Sequence, residues 1–169
     1  MMEIYDINSE NVSIVSKFMA NIKPEWWDIE GAKQQLSDGI GWYLGSGKDS
    51  PIGWILCKRY DGYKTGEIEC LGYNNCGVLV VGKGLQPLVE KSEEWAREQG
   101  FVIMKFTIGT KGLSCHGVSL KKPWEELRDL HAIDREDYTW FLSMGYVPSG
   151  VLPNIYGEKY HGILLVKTL

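Results

Sequence analysis

Val80-Val81-Gly82-Lys83-Gly84-Leu85-Gln86-Pro87 leads into an amphipathic run from Leu88 to Gln99, and this pair decides how the rest of the chain is read. Leu85, Leu88, Val89, Ser92, Trp95 and Ala96 fall at i, i+3, i+4, i+7, i+10 and i+11, one uncharged helical stripe. Glu90, Lys91, Glu93, Glu94, Arg97 and Glu98 take the other face. Pro87 is tolerated in a first turn, where its missing N–H has no partner to lose, and Gly100 suits the left-handed position past the end. A glycine-bearing loop that opens a helix gathers backbone N–H groups and the positive end of the helix dipole at one point, the place where a phosphate binds. The turn Gly82 to Gln86 is therefore the first candidate ligand site.

Composition sets the frame around that turn. A chain of 169 residues with 44% hydrophobic content, seven Trp and nine Tyr predicts one domain, residues 1–169, around one core. The longest aliphatic run, Val78 to Val81, is too short to cross a bilayer, and no charged-then-apolar leader precedes Glu3. Cytoplasmic location and no membrane partner are expected. A formal charge of -4 without a lysine-rich stripe argues against nucleic acid and mildly favours cationic ligands. Cys57, Cys70, Cys76 and Cys115 lack C-x-x-C spacing, so reduced core cysteines are expected rather than staples or metal ligands. A zinc site from Cys70, Cys76, Cys115 and His116 is the alternative, and no metal is the expectation.

In chain order, Glu3 to Ile7 alternates as a strand, and Asn8 or Ser9 can cap a helix through Val12, Val15, Phe18 and Met19. Pro24 breaks that helix, and a second runs from about Glu30 to Leu36 before Gly39. Residues 41–44, 52–57 and 67–71 read as an antiparallel meander. Phe101 to Ile108 is almost wholly apolar, as a strand covered on both faces would be. Gly109 to Ile133 is a long connection with a short helix near Pro123 to Leu130. Asp134 can cap a last helix through Tyr138, Phe141 and Leu142 that stops at Gly145, and two closing strands follow. The fold class is α+β: a mixed, mainly antiparallel central sheet flanked by helices.

This order resembles the GNAT superfamily of acyl-CoA-dependent N-acyltransferases over nearly the whole chain. Val81-Gly82-Lys83-Gly84-Leu85-Gln86 is similar to the family's Gln/Arg-x-x-Gly-x-Gly/Ala, and Trp140 to Tyr146 to its aromatic-Tyr-x-x-x-Gly-aromatic ending. The resemblance implies acetyl-CoA as acyl-donor cosubstrate, with its pyrophosphate on the amides of Val81, Gly82, Lys83, Gly84, Leu85 and Gln86. It also implies direct attack of an amine, from a small molecule or a peptide, in a ternary complex. Val81 stands where Arg or Gln is usual, and Gln86 where a small residue is usual. Phe141 falls where many members carry the tyrosine that protonates the leaving thiolate, and phenylalanine has no proton to give. Tyr138, one turn earlier on the same helix face, is the substitute considered.

For the base, Glu67 and Glu69 alternate onto one face of the strand before the loop, where family members often place a glutamate, and Glu69 is preferred. The plainer alternative is two solvated strand residues. His116, His131 and His161 are unpatterned and read as structural. Trp26 and Trp27, among Glu25, Asp28 and Glu30, can hold a cationic acceptor by charge and ring face together, or one of them can pack as core. Two readings compete with an enzyme. Gly77-x-x-x-x-Gly82-Lys83-Gly84 nearly spells a P-loop but ends without the hydroxyl that holds Mg²⁺. A non-catalytic acyl-CoA-binding sensor or partner module keeps the fold without the chemistry. A homodimer remains open.

Overall fold

The computed structural model describes residues 2–74 and 84–169. A seven-stranded sheet has the order β1-β2-β3-β4-β5-β7-β6. Its strands are β1 (Glu3–Asp6), β2 (Ile40–Gly45), β3 (Pro51–Tyr60), β4 (Thr65–Tyr73), β5 (Ile103–Gly109), β6 (Val147–Gly157) and β7 (Tyr160–Thr168). The helices are α1 (Val12–Ile22), α2 (Ile29–Ser37), α3 (Gln86–Glu98), α4 (Pro123–Arg128) and α5 (Glu136–Ser143). The expected meander is β2-β3-β4, antiparallel throughout, and β4 pairs parallel with β5 across the α3 crossover. None of the described helices is long and apolar enough to cross a membrane.

Each face of the sheet buries its own set of side chains. Beneath α3 and α5 lie Ile55, Cys57, Ile68, Met104, Phe106 and Leu165 with Leu88, Val89, Trp95 and Phe141. Beneath α1 and α2 lie Tyr43, Trp54, Leu56 and Cys70 with Val15, Met19, Ala32 and Leu36. Because strand side chains alternate, Lys58, Glu67, Lys105 and Thr107 point to the α1–α2 side. Those two helices pack on β2, β3 and the far part of β4, so the β4–β5 stretch of that face lacks a helix.

Several local expectations are revised. β5 is not covered on both faces: it begins at Ile103, and its residues alternate between buried and half-buried. α1 begins at Val12, and Asn8 uses its side chain to accept from the Glu10 N–H in the preceding turn. α5 begins at Glu136 rather than behind an Asp134 cap, and the Asp137 carboxylate takes the Tyr138 N–H. Glu93 is no solvated helix residue. It is buried and accepts two bonds from Lys167 Nζ at 2.8 and 2.7 Å, tying α3 to β7. The helix stops hold, with Gly100 at φ +72° and Gly145 at φ +91°.

Trp54 is fully buried and is held edge-on by Phe18 and Trp27. Its ring lies over Gly72, its partner in the β3–β4 register, where an added Cβ would come within 2.3 Å of the indole. The β4 backbone can approach only because no side chain stands there. Gly72→Ala is expected to lower unfolding free energy by about 1–3 kcal/mol through overpacking, measured by urea denaturation. A change within about 0.5 kcal/mol would mean the indole moves freely.

Candidate functional site

β4 and β5 part company midway. Their pairing runs from Thr65↔Ile103 to Ile68↔Phe106 and ends there. β4 continues to Tyr73 on β3, and β5 continues to Gly109 on β7. The facing edges beyond Ile68 and Phe106 therefore open into a fork with backbone groups on both prongs. At its apex β4 carries a bulge: Leu56 pairs with Cys70 and Cys57 with Ile68, leaving Glu69 as the extra residue. Such a residue stands outside the ladder, and its side chain is re-aimed.

On the uncovered face, a cavity of about 280 Å³ sits at this apex, lined by Lys58, Tyr60, Glu67, Glu69, Thr107 and Tyr156 among others. Lys58 Nζ donates to Glu69 Oε1, and that hydrogen bond holds the lysine above its ordinary pKa, so it stays cationic. Glu69 Oε2 is buried and has no hydrogen-bond partner among the described residues. Glu67 pairs with Lys105 at 3.2 Å, and the Lys105 ammonium lies 4.5 Å from the Tyr60 ring centroid. A hydrogen bond to Glu67, followed by burial, raises the Tyr60 phenol and keeps it protonated.

Ile155 and Tyr156 overhang the cavity from the β6–β7 hairpin. Three segments are fixed there by His161, which is buried. Its Nδ1 accepts from the Asn154 N–H at 3.0 Å, so Nε2 carries the proton and donates to the Val118 carbonyl at 2.8 Å. Its own N–H donates to Thr110 Oγ1 at 3.1 Å. The histidine is structural, as its unpatterned position suggested.

The predicted residues divide between the two faces. Glu67 and Glu69 are brought together in the cavity. Tyr138 is not: it is buried with Phe141 under the opposite face, where burial raises its phenol. Phe141 reaches the fork from that face, its ring 5.1 Å from Phe106. Gly84, Leu85 and Gln86 form the entry to α3, while Val81, Gly82 and Lys83 lie outside the described residues. No side chain caps the first turn of α3, and Gln86 turns its amide along the helix to Glu90 at 2.8 Å. The first-turn N–H groups thus have no side-chain acceptor, which suits an anionic ligand.

Trp26 and Trp27 border a separate cavity of about 620 Å³ between α1 and α2, with Pro24, Asp28, Ile29 and Glu30. Trp27 packs edge-on against Trp54 and is half-buried core. Trp26 is 60% exposed, and Lys23 lies over its ring at 5.1 Å. Asp28 is engaged as the α2 cap, accepting from the Gly31 N–H at 2.7 Å. Sequence reasoning missed Lys58, Tyr60 and Tyr156, whose approach to Glu69 depends on register and on the hairpin overhang rather than on spacing.

Cys70 and Cys115 lie in different cores, so they do not converge on a metal, and Cys76 lies outside the described residues. Burial pushes the Cys70 thiol up to about 12 and Cys57 higher still, which makes both poor nucleophiles.

No family model matches the sequence, and no curated protein does. Solved structures do match along nearly the full length. An aminoglycoside 6'-N-acetyltransferase complexed with coenzyme A aligns at TM-score 0.83 with 19% identity, covering 98% of this chain and 96% of the other. The aminoglycoside 6'-N-acetyltransferase from Enterococcus faecium gives 0.80 and 18%, with the same coverage. A GNAT family acetyltransferase from Elizabethkingia anophelis with acetyl-CoA bound gives 0.65 and 14%, covering 99% and 98%.

The two tryptophans should separate in stability measurements. Trp27→Ala is expected to cost about 2 kcal/mol or more, because it uncovers Trp54. Trp26→Ala should stay within about 0.5 kcal/mol, since only a surface contact with Lys23 is lost. Equal effects would contradict this division into core and rim.

Proposed function

The chain has the GNAT fold, and from that premise we propose that it transfers an acetyl group from acetyl-CoA to an amine of a small molecule or peptide, by direct attack in a ternary complex. The observation that carries the reading is the fork between β4 and β5, with the uncapped start of α3 behind it and a carboxylate cavity at its apex. The pyrophosphate is assigned to the turn entering α3, where Gly84, Leu85 and Gln86 are its described residues and Val81, Gly82 and Lys83 complete the motif. The pantetheine amides are assigned to the free prong of β4.

At the apex, Glu69 is assigned as base. Its Oε1 is held by Lys58, while Oε2 is open to take a proton from the acceptor ammonium, directly or through one water. The freed amine nitrogen attacks the thioester carbonyl carbon, and the Glu69 N–H, set outside the ladder by the bulge, can meet the developing oxyanion. The C–S bond then breaks and the thiolate leaves. Glu67, engaged by Lys105 and Tyr60, supports the charge around Glu69 rather than acting first. Buried Tyr138 is assigned no proton transfer, because it does not line the cavity. The absence of a well-ionised cysteine favours direct attack over an acyl-enzyme. The aminoglycoside acetyltransferases among the structural neighbours lend support to a small-molecule amine as acceptor.

Acetyl-CoA at about a hundred times its Kd should add ~2.7 kcal/mol, and so raise Tm by several degrees, whereas ATP with Mg²⁺ should not. Gly84→Glu, which sets an anion where the pyrophosphate approaches, should abolish that shift in a folded protein. Protection by ATP with Mg²⁺ alone would overturn the assignment in favour of a nucleotide site.

Glu69→Gln should lower turnover at neutral pH about a hundredfold or more, with acetyl-CoA protection retained. CoA release at the wild-type rate from this variant would remove Glu69 from the mechanism. Acetyl-CoA protection without release of CoA in any amine assay would leave a binding module instead of an enzyme.

A further inference from the structure

The charges around the apex cavity select among amines. Lys58 and Glu69 make one pair, and Lys105 and Glu67 make another, so the four ionised groups at the cavity sum to zero. Within the first pair, both partners keep unused capacity. Glu69 Oε2 has no partner among the described residues, and Lys58 Nζ, with three donors, is recorded there as donating only to Glu69 Oε1. One open acceptor and one open cationic donor thus stand side by side, because both belong to groups already bonded to each other. An α-amino acid carries an ammonium and a carboxylate on a single carbon, the same adjacency with opposite sense.

On the reading of the fork as an acetyl-transfer site, we propose that the acceptor is a free α-amino acid. Its ammonium rests on Glu69 Oε2, and its carboxylate on the remaining N–H donors of Lys58. The nitrogen that must lose a proton is then already on the base. The rest of the cavity fits such a ligand in size and character. At about 280 Å³ it matches roughly nine water volumes, taking about 30 Å³ each, the scale of one amino acid. Ile68 forms part of its floor and Ile155 and Tyr156 overhang it, giving an apolar wall for a branched or aromatic side chain. A polycation would bring further positive charge beside Lys58 and Lys105 without a free carboxylate to receive it, a repulsive element in the selection.

The test compares each amino acid with the amine left when its carboxylate is removed. Leucine against 3-methylbutylamine and tyrosine against tyramine are titrated calorimetrically into the full chain saturated with CoA, with spermidine and kanamycin as polycationic probes. The amino acids should bind at least about tenfold more tightly than their amines, the scale of one lost charge-assisted contact. Lys58→Met should collapse that ratio toward one. Equal or tighter binding of the amines or polycations, no binding of any amino acid, or a ratio that survives Lys58→Met would each overturn the proposal. In parallel, CoA release from acetyl-CoA is followed with the same compounds. Amino-acid preference in binding without CoA release would sink the acetyl-transfer reading while leaving this ligand assignment standing. Release driven best by kanamycin or spermidine would do the reverse.

Discussion

The separation of β4 from β5 after Ile68 and Phe106 governs the rest of the molecule. Parallel neighbours normally stay paired, since a buried backbone group without a partner costs free energy comparable to a lost hydrogen bond. Here each prong is held from its outer side, β4 by β3 to Tyr73 and β5 by β7 to Gly109. The sheet therefore stays continuous while its middle opens. The bulge at Glu69 adds local twist at the apex and turns a carboxylate toward the gap. On the α3–α5 face the apex is closed by Phe106 and Phe141; on the other it is left to polar side chains.

That division explains the pattern of charge. Carboxylates beside an apolar core are tolerated when each has a counter-ion, and Glu69 and Glu67 have Lys58 and Lys105. Both pairs remain partly exposed, so they hold geometry more than they add stability. The buried Glu93–Lys167 pair is different, since Glu93 is almost fully enclosed and joins α3 to β7 beneath the opposite face. It fixes the helix whose first turn faces the fork.

Much of the fold was legible because its periodicities are strong. The α3 stripe, the meander and the glycine stops at Gly100 and Gly145 follow from spacing and backbone preference. The misread elements share one cause: tertiary partners took over from local signals. Arg135 anchors the start of α5 to the carbonyls of Gly109 and Lys111, which displaces the local Asp134 cap. Glu93 looked solvated because its partner lies 74 positions along the chain. In the candidate site, Glu67 and Glu69 were readable by alternation along one strand. Lys58, Tyr60 and Tyr156 were not, because the bulge and the hairpin overhang that bring them to Glu69 leave no period in the sequence.

Phe141 sets how the chemistry must be distributed. Its ring stacks on Phe106 and Tyr146, so the position where a hydroxyl would meet the leaving sulfur is occupied by hydrocarbon. The nearest tyrosine on that helix face, Tyr138, is buried and held in its neutral form. Protonation of the thiolate then falls to solvent entering the fork, which a thiol that ionises near pH 8.5 tolerates far better than an alkoxide would. The demanding proton is the one on the acceptor, since an ordinary aliphatic ammonium ionises near pH 10 and is almost wholly charged at neutrality. A site with this balance invests its built features on the acceptor side, and that is where the bulge, the lysine-held carboxylate and the overhanging hairpin are found.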